Sequence, residues 1–266
     1  MRKVLAMMRA NWIAASSYKI NMVWSLIGLL IAVVPVYLVT TAFQPMMADK
    51  IRNEGGQFFG FVLVGQVAFI LLTAAVTALP GSISSGISSG TLELLLSTPT
   101  RLPTLFAGMV GYTFTWTSVR CLLMLTAGWV LGATIAWEKV PAAAMILALI
   151  VLTYMSAGII IAAMFLAFRF TGPIAQGVLV SSVFLGGVYY PTKVIPSWIQ
   201  NISDFIPLTY GLRALRGTLL EGAPLVAVLP DVGILAAFCA VLLSLSSMAF
   251  LAALRYSKRM GTLSQY

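Results

Sequence analysis

The chain has 266 residues, of which 60% are hydrophobic and only 9% are charged. A soluble domain of this size cannot bury so much apolar surface, so the composition excludes the soluble classes and predicts an all-α polytopic membrane protein. The net charge of +9 would suggest nucleic-acid binding in a soluble protein. In a membrane protein it reflects orientation, because cationic residues collect on the cytoplasmic side, and we expect no nucleic-acid partner.

The sequence contains no histidine, which excludes Ser-His and Cys-His nucleophilic pairs and histidine metal sites. The two cysteines, Cys121 and Cys239, fall inside predicted spans, where each is expected to be a small packing residue. We therefore expect no catalytic residue, no metal site and no disulfide.

Residues 1–18 are not apolar enough to span a membrane, but they are amphipathic on a helical wheel. One face carries Val4, Leu5, Met8 and Trp12. This pattern predicts an interface helix on the cytoplasmic membrane surface, and the alternative is a frayed basic N-terminus.

Six apolar runs predict six transmembrane helices. They cover residues 20–43, 58–79, 104–136, 142–168, 174–190 and 232–254. The region 191–222, between the last two runs, is divided by Pro191, Pro196 and Pro207 into pieces too short to cross. We expect external re-entrant helices there, which dip into the outer leaflet or pack across its surface.

Six spans place both termini on one side of the membrane. Of the 16 Lys and Arg residues, nine lie on the side of the termini, six lie on the opposite side, and Arg120 lies within a span. The excess predicts that both termini are cytoplasmic.

The least membrane-like stretch of the first half of the chain is Gly81 to Arg101, GSISSGISSGTLELLLSTPTR. By the predicted topology it is a cytoplasmic elbow between spans 2 and 3. We expect a flexible lead-in from Gly81 to Ser89, followed by a short amphipathic helix from Thr91 to Ser97. Such an element could receive force from a partner.

The predicted topology places all seven acidic residues in loops or at span ends, whereas an ion-coupled transporter would normally need an acid within the membrane. The glycines of the elbow resemble a phosphate-binding loop, but no Lys-Ser or Lys-Thr follows them. Nucleotide binding by this chain is therefore not expected. Energy for uphill transport would have to come from a partner at the elbow.

Two sets of motifs carry a resemblance to a known family. The segment GTLELLLSTP at 90–99 resembles the coupling helix of permeases of the type-2, exporter-like class of ATP-binding cassette (ABC) transporters. The segments GVYYP at 187–191, PLTY at 207–210 and ALRG at 214–217 resemble the end of the fifth span and the external re-entrant helices of the same class. In this order, on six spans, they cover essentially the whole chain.

The resemblance implies a transport subunit of the bacterial cytoplasmic (inner) membrane that forms the path for a lipid-linked, glycan or amphiphilic substrate. It also implies a dimer of permeases, here expected to be a homodimer, in membrane lipid. Two cytoplasmic ABC subunits would bind ATP and Mg, so this chain would need no cofactor and no ATPase site of its own.

The resemblance also assigns the coupling of this chain to its ATPase. The residues concerned are Thr91, Leu92, Glu93, Leu94, Leu95 and Ser97. Relatives often carry charged residues before the position of Gly90, but this chain has Ser88 and Ser89 there. We therefore expect the docking contact to rest mainly on the leucines and on the single charge of Glu93.

Arg120 lies near the middle of a predicted span, where a charge costs at least about 2.5 to 3.5 kcal/mol. It either lines the translocation path or the dimer seam and attracts an anionic group such as phosphate, or it pairs with backbone carbonyls or snorkels along a tilted helix. Tyr189, Tyr190 and Tyr210 near the outer face could stack on sugars. An interfacial aromatic belt explains these tyrosines equally well.

Two other classes of function remain as alternatives. A passive channel or ion-coupled secondary transporter could also have six spans, but it would give no reason for the coupling motif. An intramembrane enzyme is disfavoured by the absence of histidine and of buried acids, although a serine-lysine arrangement is not excluded. No motif separates a glycan substrate from a lipid, a drug or a peptide.

Overall fold

The computed structural model describes residues 7–9, 11–13, 17, 19–91, 102–168 and 172–260. Within these residues the chain is helical and has no strand, which confirms the all-α prediction. From Lys19 onward it forms α1 (Lys19–Met47), α2 (Phe58–Ser88), α3 (Leu102–Val130), α4 (Val140–Phe168), α5 (Gly172–Leu185), α6 (Ser197–Ser203), α7 (Pro207–Leu219) and α8 (Leu225–Met260). Short 3-10 turns at Arg52–Glu54, Trp137–Lys139 and Thr192–Val194 precede α2, α4 and α6.

Six of these helices overlap the six segments predicted to span the membrane. Four of the six, α1, α2, α4 and α8, are long and apolar enough to cross a membrane. Helix α3 has 29 residues but is less apolar, because the stretch YTFTWTSVR at 112–120 mixes polar and apolar side chains. Helix α5 has only 14 residues.

Helix α2 is the central helix of the bundle. It is apolar on all sides, and 78% of its most apolar window is buried, against 11% for α1 and 17% for α8. It packs against α1, α3 and α4, and α4 in turn packs against α7 and α8. A helix that is apolar all round belongs inside a bundle, so the position of α2 follows from its composition.

A glycine allows α2 and α4 to approach closely. A Cβ atom at Gly158 of α4 would lie 2.5 Å from the carbonyl oxygen of Ala75 and 3.1 Å from that of Val76. Small residues at such crossings let helix backbones pack directly against each other in membranes. Gly158 therefore sets the distance between α2 and α4.

The connections between helices meet at one end of the bundle, which we call the capped end (residues 48–57, 131–139 and 186–224). The side chain of Gln57 donates a hydrogen bond to the carbonyl of Gly132 at 2.8 Å and accepts one from the amide of Thr134 at 2.9 Å. The amide of Ala136 donates to the carbonyl of Leu219 at 2.8 Å. These bonds tie three separate connections into one layer.

Helices α6 and α7 lie in this layer, and each is too short to cross a membrane, as predicted for the proline-divided region. Two aromatic side chains, one in α6 and one just after it, point away from the protein. Trp198 is 66% exposed and Phe205 is 76% exposed.

At the opposite end, the prediction of a flexible lead-in from Gly81 to Ser89 is wrong, because α2 continues through Pro80 to Ser88. The serine hydroxyls satisfy themselves by donating to carbonyls of the preceding turn, as Ser88 does to Ser85 at 3.0 Å. Ile83 is buried and packs the extension into the bundle. Gly90, two residues after the helix ends, adopts a φ of +68°, which favours glycine.

Helix α3 ends earlier than predicted, at Val130 rather than Ala136. Gly132 adopts a φ of +97°, and the amide of Ala133 donates to the carbonyl of Gly128 at 2.9 Å. This glycine termination closes the last turn of the helix. Helix α5 likewise ends at Leu185, before the predicted Tyr190.

The described part of the N-terminal segment is helical at 7–9 and 11–13 and packs beside the beginning of α3. The ring of Trp12 meets that of Tyr112 edge to face at 5.7 Å, and Met8 lies against Gly111. Arg9 is exposed. This arrangement agrees with the apolar face predicted for Met8 and Trp12. Val4 and Leu5, the other two residues of that predicted face, lie outside the described residues.

The close approach at Gly158 can be tested with one methyl group. We expect Gly158→Ala to lower the free energy of unfolding by about 1 to 3 kcal/mol, because the new Cβ overlaps backbone atoms that cannot rotate away. Gly233→Ala in α8 is the matched control, since its Cβ would meet nothing within 4 Å and alanine favours helices. Thermal unfolding in detergent measures both, and equal midpoints would contradict the packing argument.

Candidate functional site

Arg216 in α7 is almost completely buried, with 3% of the side chain exposed. Its Nη1 donates to a carboxylate oxygen of Glu54 at 3.3 Å. Its Nη2 donates to the carbonyls of Phe61 at 3.3 Å, Gly187 at 3.0 Å and Val188 at 3.1 Å. One guanidinium group therefore joins four parts of the chain: the turn before α2, α2 itself, the turn after α5, and α7.

The guanidinium also lies over the ring of Phe61, with its central carbon 3.4 Å from the ring centroid. Such a contact adds a cation–π attraction where water is excluded. Burial lowers the pKa of Arg216 to about 10, and the Glu54 carboxylate acts in the opposite direction. The group therefore stays charged at neutral pH, and we call it and its partners the Arg216 clamp (Arg216, Glu54, Phe61, Gly187 and Val188).

Two glycines make room for the Arg216 clamp. A Cβ atom at Gly65 of α2 would overlap the carbonyl oxygen of Val188 and would lie 3.1 Å from Nη2 of Arg216. Gly187 adopts a φ of +74°, which turns its carbonyl and the next one toward the arginine. The clamp thus needs a missing side chain on one wall and a glycine backbone on the other.

A second ion pair links α7 to α8 on the surface of the capped end. Nη1 of Arg213 lies 3.2 Å from a carboxylate oxygen of Asp231, but the Arg213 side chain is 51% exposed. The N–O distance is close to the 3.3 Å of the Arg216–Glu54 pair, but the side chain of Arg213 is far more exposed than that of Arg216. Exposed pairs of this kind contribute little.

Arg120 of α3 is in the opposite situation to Arg216. It lines a cavity of about 420 Å³ between α1, α2 and α3, together with Trp24, Gln66, Phe69 and Tyr189. Its Nε is buried and has no hydrogen-bond partner, which is also true of Nε of Arg216, so the difference lies in the terminal nitrogens of the two guanidinium groups. Among the residues that the structure describes, no carboxylate or carbonyl binds the Arg120 guanidinium, so nothing here supports the alternative of pairing with backbone carbonyls.

A second cavity of about 310 Å³ lies between α1 and α2 and is lined by apolar side chains that include Val39, Phe58 and Val62. It shares Gln66 and Tyr189 with the Arg120 cavity. The two cavities together form a cleft along α1, which we call the α1–α2 cleft. The half that contains Arg120 is lined by both polar and apolar side chains, and the other half is lined mostly by apolar side chains.

The structure brings together only two of the four residues predicted to line a path, Arg120 and Tyr189. The hydroxyl of Tyr190 donates to the carbonyl of Phe184 at 2.6 Å. The hydroxyl of Tyr210 donates to the carbonyl of Asp204 at 3.1 Å. Neither tyrosine lines the α1–α2 cleft.

Most of the predicted coupling residues cannot be placed. Thr91 is described, and its hydroxyl lies 2.8 Å from that of Ser89, at the end of α2. The others lie outside the described residues: Leu92, Glu93, Leu94, Leu95 and Ser97. Their role stays a prediction.

The sequence analysis did not identify Glu54, Arg216 or Gln66 as site residues. Gln66 had a usable signal, because it is the only amide in the otherwise apolar run FFGFVLVGQVAFILL at 58–72. Glu54 and Arg216 had none beyond the ALRG motif, since they lie 162 residues apart and each reads as a loop charge.

Comparisons with known proteins agree with the arrangement of helices. Residues 2–220 match the family of ABC-2 type transporters. The linearmycin resistance permease protein LnrN of Bacillus subtilis (strain 168) is 27% identical over 177 residues, which are 66% of this chain and 45% of LnrN. Nodulation protein J of Rhizobium leguminosarum bv. trifolii is 25% identical over 200 residues, which are 74% of each chain. The match thus spans less than half of LnrN and about three quarters of the nodulation protein.

The two ion pairs of the capped end offer a matched test of the Arg216 clamp. We expect Glu54→Ala to cost about 3 to 5 kcal/mol of stability, because it leaves the buried Arg216 charge without its counterion. Asp231→Ala breaks a pair of equal length at the surface and should cost about 0 to 1 kcal/mol. Unfolding in detergent compares the two, and a similar cost for both would show that Arg216 is not held as described.

Proposed function

Since the chain belongs to the ABC-2 type transporter family, we propose that it is the membrane subunit of an ATP-driven exporter. Members of this family are membrane components of ABC transporters and generally work with ATP-binding cassette partners. The chain is a multi-pass protein of the bacterial inner membrane. The observation that carries the proposal beyond the family is the α1–α2 cleft, which holds a cation without a partner along the most exposed long helix.

The proposed topology has six spans, with both termini and the region 81–101 in the cytoplasm. The capped end then faces outward. The excess of Lys and Arg on the side of the termini supports this orientation. The exposed Trp198 and Phe205 of the capped end suit the outer membrane interface, where aromatic side chains are enriched.

Cysteine labelling tests this topology. Arg52 at the capped end and Arg9 near the N-terminus are both exposed, whereas the native Cys121 and Cys239 are buried, so the unmodified chain is the unlabelled control. We expect a membrane-impermeant maleimide to label Arg52→Cys in right-side-out vesicles and Arg9→Cys only in inside-out vesicles. Labelling of both from the same side would contradict the single span, α1, that the proposed topology places between them.

In the proposed assembly, two copies of this chain associate with two cytoplasmic ATPase subunits, which bind ATP and Mg. The substrate moves along the α1–α2 cleft, between the copies. Helix α1 supports this arrangement, because its main contacts with the described helices are with α2 and α3 and because it leaves apolar side chains such as Ile31 and Leu38 more than 60% exposed. We propose a lipid-linked, glycan or amphiphilic substrate, and the chain itself carries no ATPase site.

Helix α2 supports the proposed coupling. It runs without interruption from Phe58, beside the Arg216 clamp, to Ser88, next to the coupling residues. Phe61 and Gly65, which contact Arg216, are part of the same rigid and buried helix. A displacement of residues 91–97 by the ATPase would therefore reach the capped end through a single element.

The coupling proposal predicts an unequal response to two substitutions on either side of Pro99. Leu94→Asp should abolish association with the ATPase and substrate-stimulated ATP hydrolysis, because it places a charge in a contact expected to be apolar. Arg101→Gln removes a charge nearby in the sequence and should leave both within about twofold, because the contact is proposed to rest on the leucines.

Co-purification and ATPase assays of the complex measure the response. Full transport by the permease without its ATPase would instead support the passive channel or secondary transporter. Equal effects of the two substitutions would contradict the proposed leucine contact.

A further inference from the structure

Resting on the proposed function, we propose that the Arg120 cavity binds an anionic amphiphile, a molecule with one acidic group joined to an apolar body. This class is narrower than the lipid-linked, glycan or amphiphilic substrate of the proposed exporter. The acidic group, a phosphate or a carboxylate, binds Arg120, and the apolar body lies along the α1–α2 cleft.

The two interior arginines differ in the hydrogen-bond partners of their guanidinium groups. Arg216 is surrounded by a carboxylate and three carbonyls, so its charge is satisfied by the protein. Nε is buried without a partner in both arginines, but among the described residues no hydrogen bond or ion pair reaches the guanidinium of Arg120. A charge left in an apolar environment without a partner is costly and is retained only where something binds it.

Other polar side chains line the cavity beside Arg120. The same cavity is lined by Ser25, Gln66 and Tyr189, which can all donate hydrogen bonds. A planar guanidinium group binds phosphate or carboxylate through two parallel hydrogen bonds. None of the described residues that line the cavity is acidic. The lining therefore selects an anion rather than a cation or a neutral sugar.

The rest of the α1–α2 cleft is lined mainly by apolar side chains. Trp24, Phe69 and Met124 form walls of the Arg120 cavity, and Val39 and Val62 belong to the adjoining cavity. Together the two cavities provide roughly 730 Å³, from about 420 and about 310 Å³, which falls within the ordinary range of ligand pockets. A small inorganic anion would leave most of this apolar space unfilled, whereas an amphiphile fills it.

Trp24 provides a direct probe, because a bromine atom in contact with an indole ring quenches its fluorescence. The experiment titrates the purified full chain, in nanodiscs of phosphatidylcholine, with bromododecyl phosphate and with the neutral bromododecanol. We expect the phosphate to bind and to quench a component of the emission that is missing in Trp24→Phe. We expect the neutral alcohol to bind at least about tenfold more weakly, because a charge-assisted bidentate pair is lost.

Substitutions of Arg120 test its role. Arg120→Gln should weaken binding of bromododecyl phosphate by about tenfold or more. Arg120→Lys should bind with an affinity between that of Arg120→Gln and that of the unmodified chain, because lysine keeps the charge but cannot make the two parallel hydrogen bonds. Arg52→Gln removes one exposed positive charge elsewhere and should bind like the unmodified chain. Gel filtration and thermal unfolding confirm that each variant is folded. If Arg120→Gln does not fold, Arg120→Met replaces it in the titration.

Two results would overturn the inference: equal binding of the phosphate and the alcohol, or an Arg120→Gln chain that binds as tightly as Arg52→Gln. Repeating the titration with phosphatidylglycerol in the nanodiscs identifies the source of the anion. Competition supports a lipid headgroup as the bound group, and the absence of competition supports an exported amphiphile. Binding is measured without ATP or ATPase, so failure of the exporter proposal would leave this result standing, and the reverse also holds.

Discussion

The buried Arg216 guanidinium is the interaction on which the architecture of the capped end depends. Removing a charge from water is expensive, and the cost is recovered only when every nearby group is arranged to receive it. Here the arrangement takes a carboxylate from one connection, carbonyls from α2 and from the turn after α5, and the ring of Phe61. These segments have fixed positions because they all meet at one cation.

The same interaction gives α2 its importance. The helix contributes the carbonyl and ring of Phe61 and the open space at Gly65, and it then continues through the most buried part of the bundle to Ser88. Gly158 brings α4 against its middle. A helix fixed at one end by a buried charge and along its length by close packing is a stiff connection between the two ends of the molecule. The proposed coupling to an ATPase relies on that stiffness.

The sequence predicted the features that depend on local composition. Long apolar runs placed six helices, and Pro191, Pro196 and Pro207 placed the breaks around α6 and α7, because proline removes a backbone donor and limits the helix that precedes it. The resemblance of ALRG and GVYYP to one family of permeases was also correct. These signals lie within short stretches of sequence.

The features that the sequence did not reveal depend on tertiary context. Serine and glycine favour loops in isolation, yet Gly81 to Ser88 are helical because Ile83 is buried and the serines bond to the preceding turn. Arg216 and Glu54 were counted as loop charges, since nothing in either neighbourhood indicates a partner 162 residues away. The cavity at Arg120 is formed by three helices, so only their packing could show that the charge lacks a partner.

The most direct test of the central claim, that the α1–α2 cleft is the translocation path, is a cryo-electron microscopy map of the assembly of two copies with its ATPases in lipid nanodiscs. The account predicts that the α1–α2 clefts of the two copies face each other across a shared space, with Arg120 lining it and the Arg216–Glu54 contact intact at the outer end. A map in which α1 faces lipid and Arg120 is sealed away from the space between the copies would contradict it.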